Sequence, residues 1–201
     1  MTARNTRRAL WGAGIAAATA MLLRRMRGDF ERDHRFRPST AAMVYASYGI
    51  QLAVAAELMA HPTRRLPIPR GTALVLGGTL GVTGAGTFAL AGDVFGSARQ
   101  LSGTETGHLI DQGVYQVSRN PQYLGYLTLL AGATVASRSL DAVLSTAATA
   151  AVFGYWIRRE ETNLTELFGD EYRDYRASTA RWLGQPCAHN RRSAIHRTQP
   201  N

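Results

Sequence analysis

An all-α, integral membrane helical bundle is the fold this sequence predicts. Three features predict it: long apolar blocks free of charge, Arg residues crowded between the blocks, and a change to amphipathic helical spacing after the last block. Composition alone decides less, since 201 residues make one modest domain and 45% apolar content is ordinary for a globular chain. The expected bundle has four transmembrane helices, a short N-terminal apolar helix and a C-terminal amphipathic interfacial helix.

The first apolar run, ALWGAGIAAATAMLL, covers only residues 9–23 and is followed by Arg24, Arg25 and Arg27. It has three readings. Thr6-Arg-Arg-Ala-Leu resembles a twin-arginine export signal and Ala18-Thr-Ala20 a cleavage site, but such signals precede a soluble domain rather than several spans. An interfacial or short anchoring helix is favoured over a fifth span. Residues 1–39 are thus read as an apolar helix with a basic segment, 40–183 as the membrane-embedded domain, and 184–201 as a disordered tail of low apolar content without periodicity.

The first predicted span is TAAMVYASYGIQLAVAAELMA, residues 40–60, with Glu57 near its far end where headgroups hydrate it. The clearest is GTALVLGGTLGVTGAGTFALAG, residues 71–92, which has no charge and would cover roughly 33 Å as a helix. Gly77 and Gly81 have GxxxG spacing within it, which points to close helix packing. GVTGAG superficially resembles a dinucleotide fingerprint, but no strand precedes it. NPQYLGYLTLLAGATVAS (120–137) and LDAVLSTAATAAVFGYWI (140–157) are separated only by Arg138 and Ser139 and should form an antiparallel hairpin. Beyond it, Leu164, Leu167, Phe168, Tyr172, Tyr175 and Trp182 recur at helical spacing with Arg173, Arg176 and Arg181 between them. That pattern predicts a helix lying on the membrane surface, bent at Gly169.

Alternating through four spans places 19 of the 23 Arg on one side and only Arg64, Arg65, Arg70 and Arg138 on the other. The positive-inside rule then puts both termini in the cytoplasm, as expected for a protein of the bacterial cytoplasmic membrane. The formal charge of +9 raises nucleic-acid binding, but no soluble basic module with aromatic or helical readers accompanies it, so no nucleic-acid partner is expected. One cysteine, Cys187, excludes an intramolecular disulfide and argues against a Cys-based metal centre, so no metal is expected.

The candidate site lies where the hairpin begins and ends. Asn120 suits an N-cap and Pro121 the first helical position, so free NH groups meet the cytoplasmic interface there and would welcome an anion. The hairpin returns Arg158, Arg159, Glu160 and Glu161 to the level of Arg119 and Asn120. Helix-start NH groups and Arg on one side, with a Glu pair on the other, would suit a zwitterion. The plainer alternative is that these Arg anchor helix ends and the Glu pair is solvated.

The segments GHLIDQGVYQVSRNPQYLGY and IRREETNLTELFGDEYRDYRASTARWL, with an apolar hairpin between, resemble the motif pair of integral-membrane S-adenosylmethionine-dependent methyltransferases. That family includes isoprenylcysteine carboxyl methyltransferases and phosphatidylethanolamine N-methyltransferases, and the resemblance covers roughly residues 86–183. The resemblance implies S-adenosyl-L-methionine as cofactor and a lipophilic or lipid acceptor arriving from the bilayer. It implies cofactor-lining roles for Tyr115, Asn120, Pro121, Gln122 and Tyr123, for Glu160 and Glu161, and less closely for Gln100, His108, Leu109 and Ile110. Arg158 is the residue expected to face the acceptor, and Glu161 the base an amine acceptor would need. Asn120 stands where the eukaryotic carboxyl methyltransferases carry His, and Asn cannot titrate, so no proton transfer is expected from it. The methyl acceptor atom, whether oxygen, nitrogen or sulfur, stays open. A membrane reductase using NADPH, whose C-terminal segment resembles the same Arg-x-Pro-x-Tyr-x-Gly pattern, is the competing enzyme reading, and a non-enzymatic membrane protein the third.

Overall fold

The computed structural model describes residues 3–184, with side chains from residue 12 onward. The predicted tail from residue 185, Cys187 included, lies outside the described residues. Six α-helices follow in order: α1 (Ala3–Asp33), α2 (Pro38–Ala60), α3 (Arg70–Asp93), α4 (Ala98–Leu101), α5 (Pro121–Ser137) and α6 (Leu140–Ser178), with a 3-10 turn at Gly113–Gln116. Among the described residues the sole β pairing is one antiparallel bridge, Arg65 with Ser139. The all-α expectation holds.

The described chain divides into two compact units. Residues up to Val54 with Ala98–Gly107 form one, and Ala55–Ser97 with those from His108 on form the other. In the first unit α1 corrects an expectation, for it does not stop near Leu23 but runs on to Asp33, 31 residues in all from Ala3. Arg, Met, Leu and Ala are strong helix formers, and Arg27 pairs with Glu31 one turn on, so the basic stretch extends the helix instead of ending it. His34 ends it in the left-handed region at φ 52°. Asp29, 2% exposed, accepts the Arg37 backbone N–H at 3.0 Å, and Arg25 reaches Thr40 Oγ1 at 3.0 Å and Ser39 Oγ at 2.8 Å, which ties α1 to the start of α2. Burial alone would raise the Asp29 carboxyl, but hydrogen bonds from Thr40 and Arg37 and the Arg37 and Arg25 charges hold it below its ordinary value.

The second unit is built on an α3–α5 contact at backbone distance. A Cβ on Gly77 would stand 2.6 Å from Gly132 O, and one on Gly132 would stand 2.5 Å from Gly81 N. Gly84 and Gly125 meet the same way, against Leu129 and Phe88 respectively. The partner numbers fall along α5 as they rise along α3, so the helices are antiparallel. The GxxxG reading is right about close packing, with Gly77 and Gly84 as the glycines whose missing Cβ matters on α3 and Gly81 supplying backbone.

α5 turns into α6 through Arg138, left-handed at φ 58°, and Ser139, whose hydroxyl accepts the Ala142 N–H at 3.1 Å and donates to Leu58 O at 2.8 Å. Thr134 with Thr146 and Tyr126 with Phe153 keep the two helices antiparallel side by side, as the two-residue turn predicts. At this turn Leu66 and Leu140 N–H groups bond to Arg138 and Arg64 carbonyls, and Asp141 accepts from Thr63. The Arg64–Arg65 loop and Arg138 thus occupy one end of the unit.

α6 corrects a second expectation. The hairpin helix does not end at Ile157; it runs on through the Glu pair as far as Phe168, and a further helical stretch follows to Ser178. Its interruption is at Gly169, φ 54° and ψ −121°, where the expected bend lies. Trp182, read from the sequence as part of the amphipathic helix, follows its end. By length and composition α2, α3 and α6 are able to cross a membrane. α5, the other expected span, has 17 residues, about 26 Å of helix against a hydrocarbon core of roughly 30 Å.

Candidate active site at the open end of the hairpin

The hairpin does bring its two polar ends together. Tyr123, in the first turn of α5, donates its hydroxyl to Glu160 Oε2 at 3.0 Å, across 37 residues of sequence. Its ring packs edge-on against Phe153 at 4.9 Å, which fixes the direction of the hydroxyl. Arg119 Nη1 stands 3.2 Å from Glu161 Oε1, with both side chains less than a tenth exposed.

Glu161 is held from a second side. Arg181 grips it with two parallel bonds, Nε to Oε1 at 3.0 Å and Nη2 to Oε2 at 2.5 Å. Those bonds raise the Arg181 pKa.

Asn120 occupies the N-cap position and Pro121 the first helical position, as expected. Its side chain does not cap α5, however; Nδ2 donates to the Arg181 carbonyl at 3.0 Å. The Ser118 hydroxyl donates to that same carbonyl at 3.3 Å, and the Arg119 N–H to the Ala180 carbonyl at 2.9 Å. The segment after α6 therefore lies across the start of α5.

Arg119 carries the clearest sign of a ligand-binding role. It is buried, yet neither Nε nor Nη1 makes a directed hydrogen bond, a deficit that costs about 1–3 kcal/mol when nothing answers it. An oxyanion beside it would answer both.

Other expected lining residues sit deeper. Leu109, Ile110 and Tyr115, each 8% exposed, belong to an apolar cluster with Ala91, Tyr172 and Tyr175, bordered by Phe95 and Phe168. Tyr175 donates to the Tyr115 carbonyl at 2.7 Å, and burial, with the nearby Glu160 and Tyr175, pushes the Tyr115 phenol above its ordinary range. His108 is exposed and Gln122 half-buried. Gln100 belongs to the first unit, where it lies against Gly107. Arg158 is exposed and lines an open cleft of about 440 Å³ with Glu161, Thr162, Thr165, Glu166, Arg176 and Arg181. Among the described residues no group of His, Cys, Asp and Glu is arranged to hold a metal.

Sequence reasoning missed Arg181 and Ser118, because neither spacing nor residue type shows that the chain doubles back after Ser178. Tyr172 and Tyr175 did carry a signal, the Phe-Gly-x-Glu-Tyr-x-x-Tyr pattern, but their role in the cluster under the site is a tertiary fact.

A family model described as phospholipid methyltransferase matches residues 71–171. No curated protein and no solved structure matches the chain.

Proposed function

The chain belongs to the phospholipid methyltransferase family, and from that premise we propose that it is a membrane-bound, S-adenosylmethionine-dependent methyltransferase acting on a lipophilic or amphiphilic acceptor that arrives from the bilayer. One observation carries the cofactor assignment: a buried guanidinium whose Nε and Nη1 make no directed hydrogen bond, Arg119, and the Tyr123-oriented carboxylate of Glu160 lie at the same end of the hairpin. Arg119 would hold the cofactor's carboxylate and Glu160 its ammonium, each by a charge-assisted hydrogen bond. Asn120 and Tyr123 complete the polar wall, and the cluster around Tyr115 backs it.

When bound, S-adenosylmethionine supplies a methyl group activated by its sulfonium. The chain's own residues orient and exclude water. Holding two reactants in line is worth on the order of 7–11 kcal/mol of barrier, so little acid or base help is required. Glu161 is given a holding role, because Arg119 and Arg181 together engage both its oxygens. Arg158, exposed in the neighbouring cleft, is assigned to orient the acceptor.

Titration calorimetry of the purified protein in detergent tests the assignment. S-adenosylmethionine and S-adenosylhomocysteine should both bind and NADPH should not. Binding of NADPH alone would replace this reading with the reductase one.

A further inference from the structure

Residues 179–182 follow the last helix and have no place in the matched span, which ends at residue 171. Two of them nonetheless tie this segment to the residues that begin α5 and to Glu161. Ala180 O accepts the Arg119 N–H, Arg181 O accepts Asn120 Nδ2 and the Ser118 hydroxyl, and the Arg181 guanidinium holds Glu161 at both oxygens. Three consecutive residues before the helix, 118 to 120, are thereby set by two residues about sixty positions later.

We propose that Arg181 is a positioning residue of the cofactor site, acting through Glu161 to keep Arg119 open for the cofactor's carboxylate. The inference rests on the cofactor reading above. Its physical basis is competition for one carboxylate. Glu161 reaches Arg119 through a single contact at 3.2 Å because Arg181 engages both its oxygens in a fork geometry. With that fork removed, Glu161 is free to turn both oxygens onto Arg119 and satisfy Nε and Nη1, the donors that otherwise make no directed hydrogen bond. The Arg181 carbonyl adds a second constraint. A carbonyl can only accept, so the Asn120 amide must present Nδ2 to it, which settles which way the amide points.

The test measures cofactor affinity by calorimetry, on variants that elute as single species and keep wild-type helical content. Arg181→Ala should weaken S-adenosylmethionine binding tenfold or more. Arg181→Lys keeps the charge but loses the fork, and should fall between. The Arg181 side chain is 41% exposed, so added guanidinium ion should recover part of the affinity in Arg181→Ala. In a Glu161→Gln background, Arg181→Ala should change affinity less than twofold, since the competing carboxylate is gone. Full-strength binding by Arg181→Ala, or independent losses that multiply in the double variant, would overturn the proposal. Amide hydrogen exchange without cofactor gives an independent readout: the Arg119 N–H, bonded to Ala180 O, should lose protection in Arg181→Ala, and unchanged protection counts against the proposal. If wild-type protein binds no S-adenosylmethionine, the cofactor reading itself falls and takes this inference with it.

Discussion

At the scale of single residues the two adjacent acids of α6 have different work. Glu161 pairs with Arg119 and Arg181, whereas Glu160 accepts a hydrogen bond from the neutral phenol of Tyr123. Glu160→Gln is therefore expected to cost roughly 1.5–3 kcal/mol of S-adenosylmethionine affinity, about tenfold or more, as read by calorimetry. Glu171→Gln, exposed beyond the Gly169 kink, should leave affinity unchanged; equal losses in the two variants would show general damage instead of a lost contact. In the other unit Asp29 is buried with the backbone of Arg37 as its partner, so Asp29→Ala should destabilise the α1–α2 connection by about 1.5–3 kcal/mol, measured as faster amide exchange there. The folded-state pKa of Asp29 lies below 3.8, so its contribution is complete above that pH and fades as pH falls through the lower folded value.

At the scale of elements, helix contact in the second unit depends on absent side chains. Gly132→Ala would place a methyl 2.5 Å from Gly81 N and 2.6 Å from Gly77 O, where backbone on both sides must move. An expected loss of about 1–3 kcal/mol should appear as a lower unfolding midpoint in detergent. Gly78→Ala is the contrast, because nothing lies within 4 Å of its added methyl and helix propensity improves. Should the two variants melt alike, the α3–α5 contact is looser than described. The length of α6 follows a similar logic. Nothing between Ile157 and Phe168 breaks a helix, so the element carries its Glu pair rigidly out of the apolar segment and bends only at Gly169.

For the whole molecule, three helices long and apolar enough to cross a bilayer, together with the family membership, describe an integral membrane protein. The protein should fractionate with membranes and resist release by salt or alkali. The Arg64–Arg65 loop and the Arg138 turn share one end of the second unit, as the Arg count requires of the Arg-poor side. In a Cys187→Ser background, Arg173→Cys should therefore be labelled only from the cytoplasmic side and Arg64→Cys only from outside. The reverse pattern would invert the orientation.

The sequence by itself determined the helical class, the position of the apolar segments, the two-residue hairpin turn, the Pro121 helix start and the glycine-mediated packing of the 71–92 segment. Each is local or periodic: a charge-free run, a proline at a first turn and a GxxxG spacing state their physics within a few residues. Sequence also placed Asn120 and the Glu pair at the same level, because a hairpin with a two-residue turn leaves its ends no other arrangement. Tertiary structure decided what those residues do to one another. Glu160 and Glu161 are neighbours of one type, and only the return of the chain after Ser178, which brings Arg181 onto Glu161 and its carbonyl onto Asn120, ties one acid to two guanidiniums and leaves the other to the Tyr123 hydroxyl. Ion pairing and hydrogen bonding between residues twenty to sixty positions apart depend on geometry in space, and no periodicity along the chain encodes that geometry.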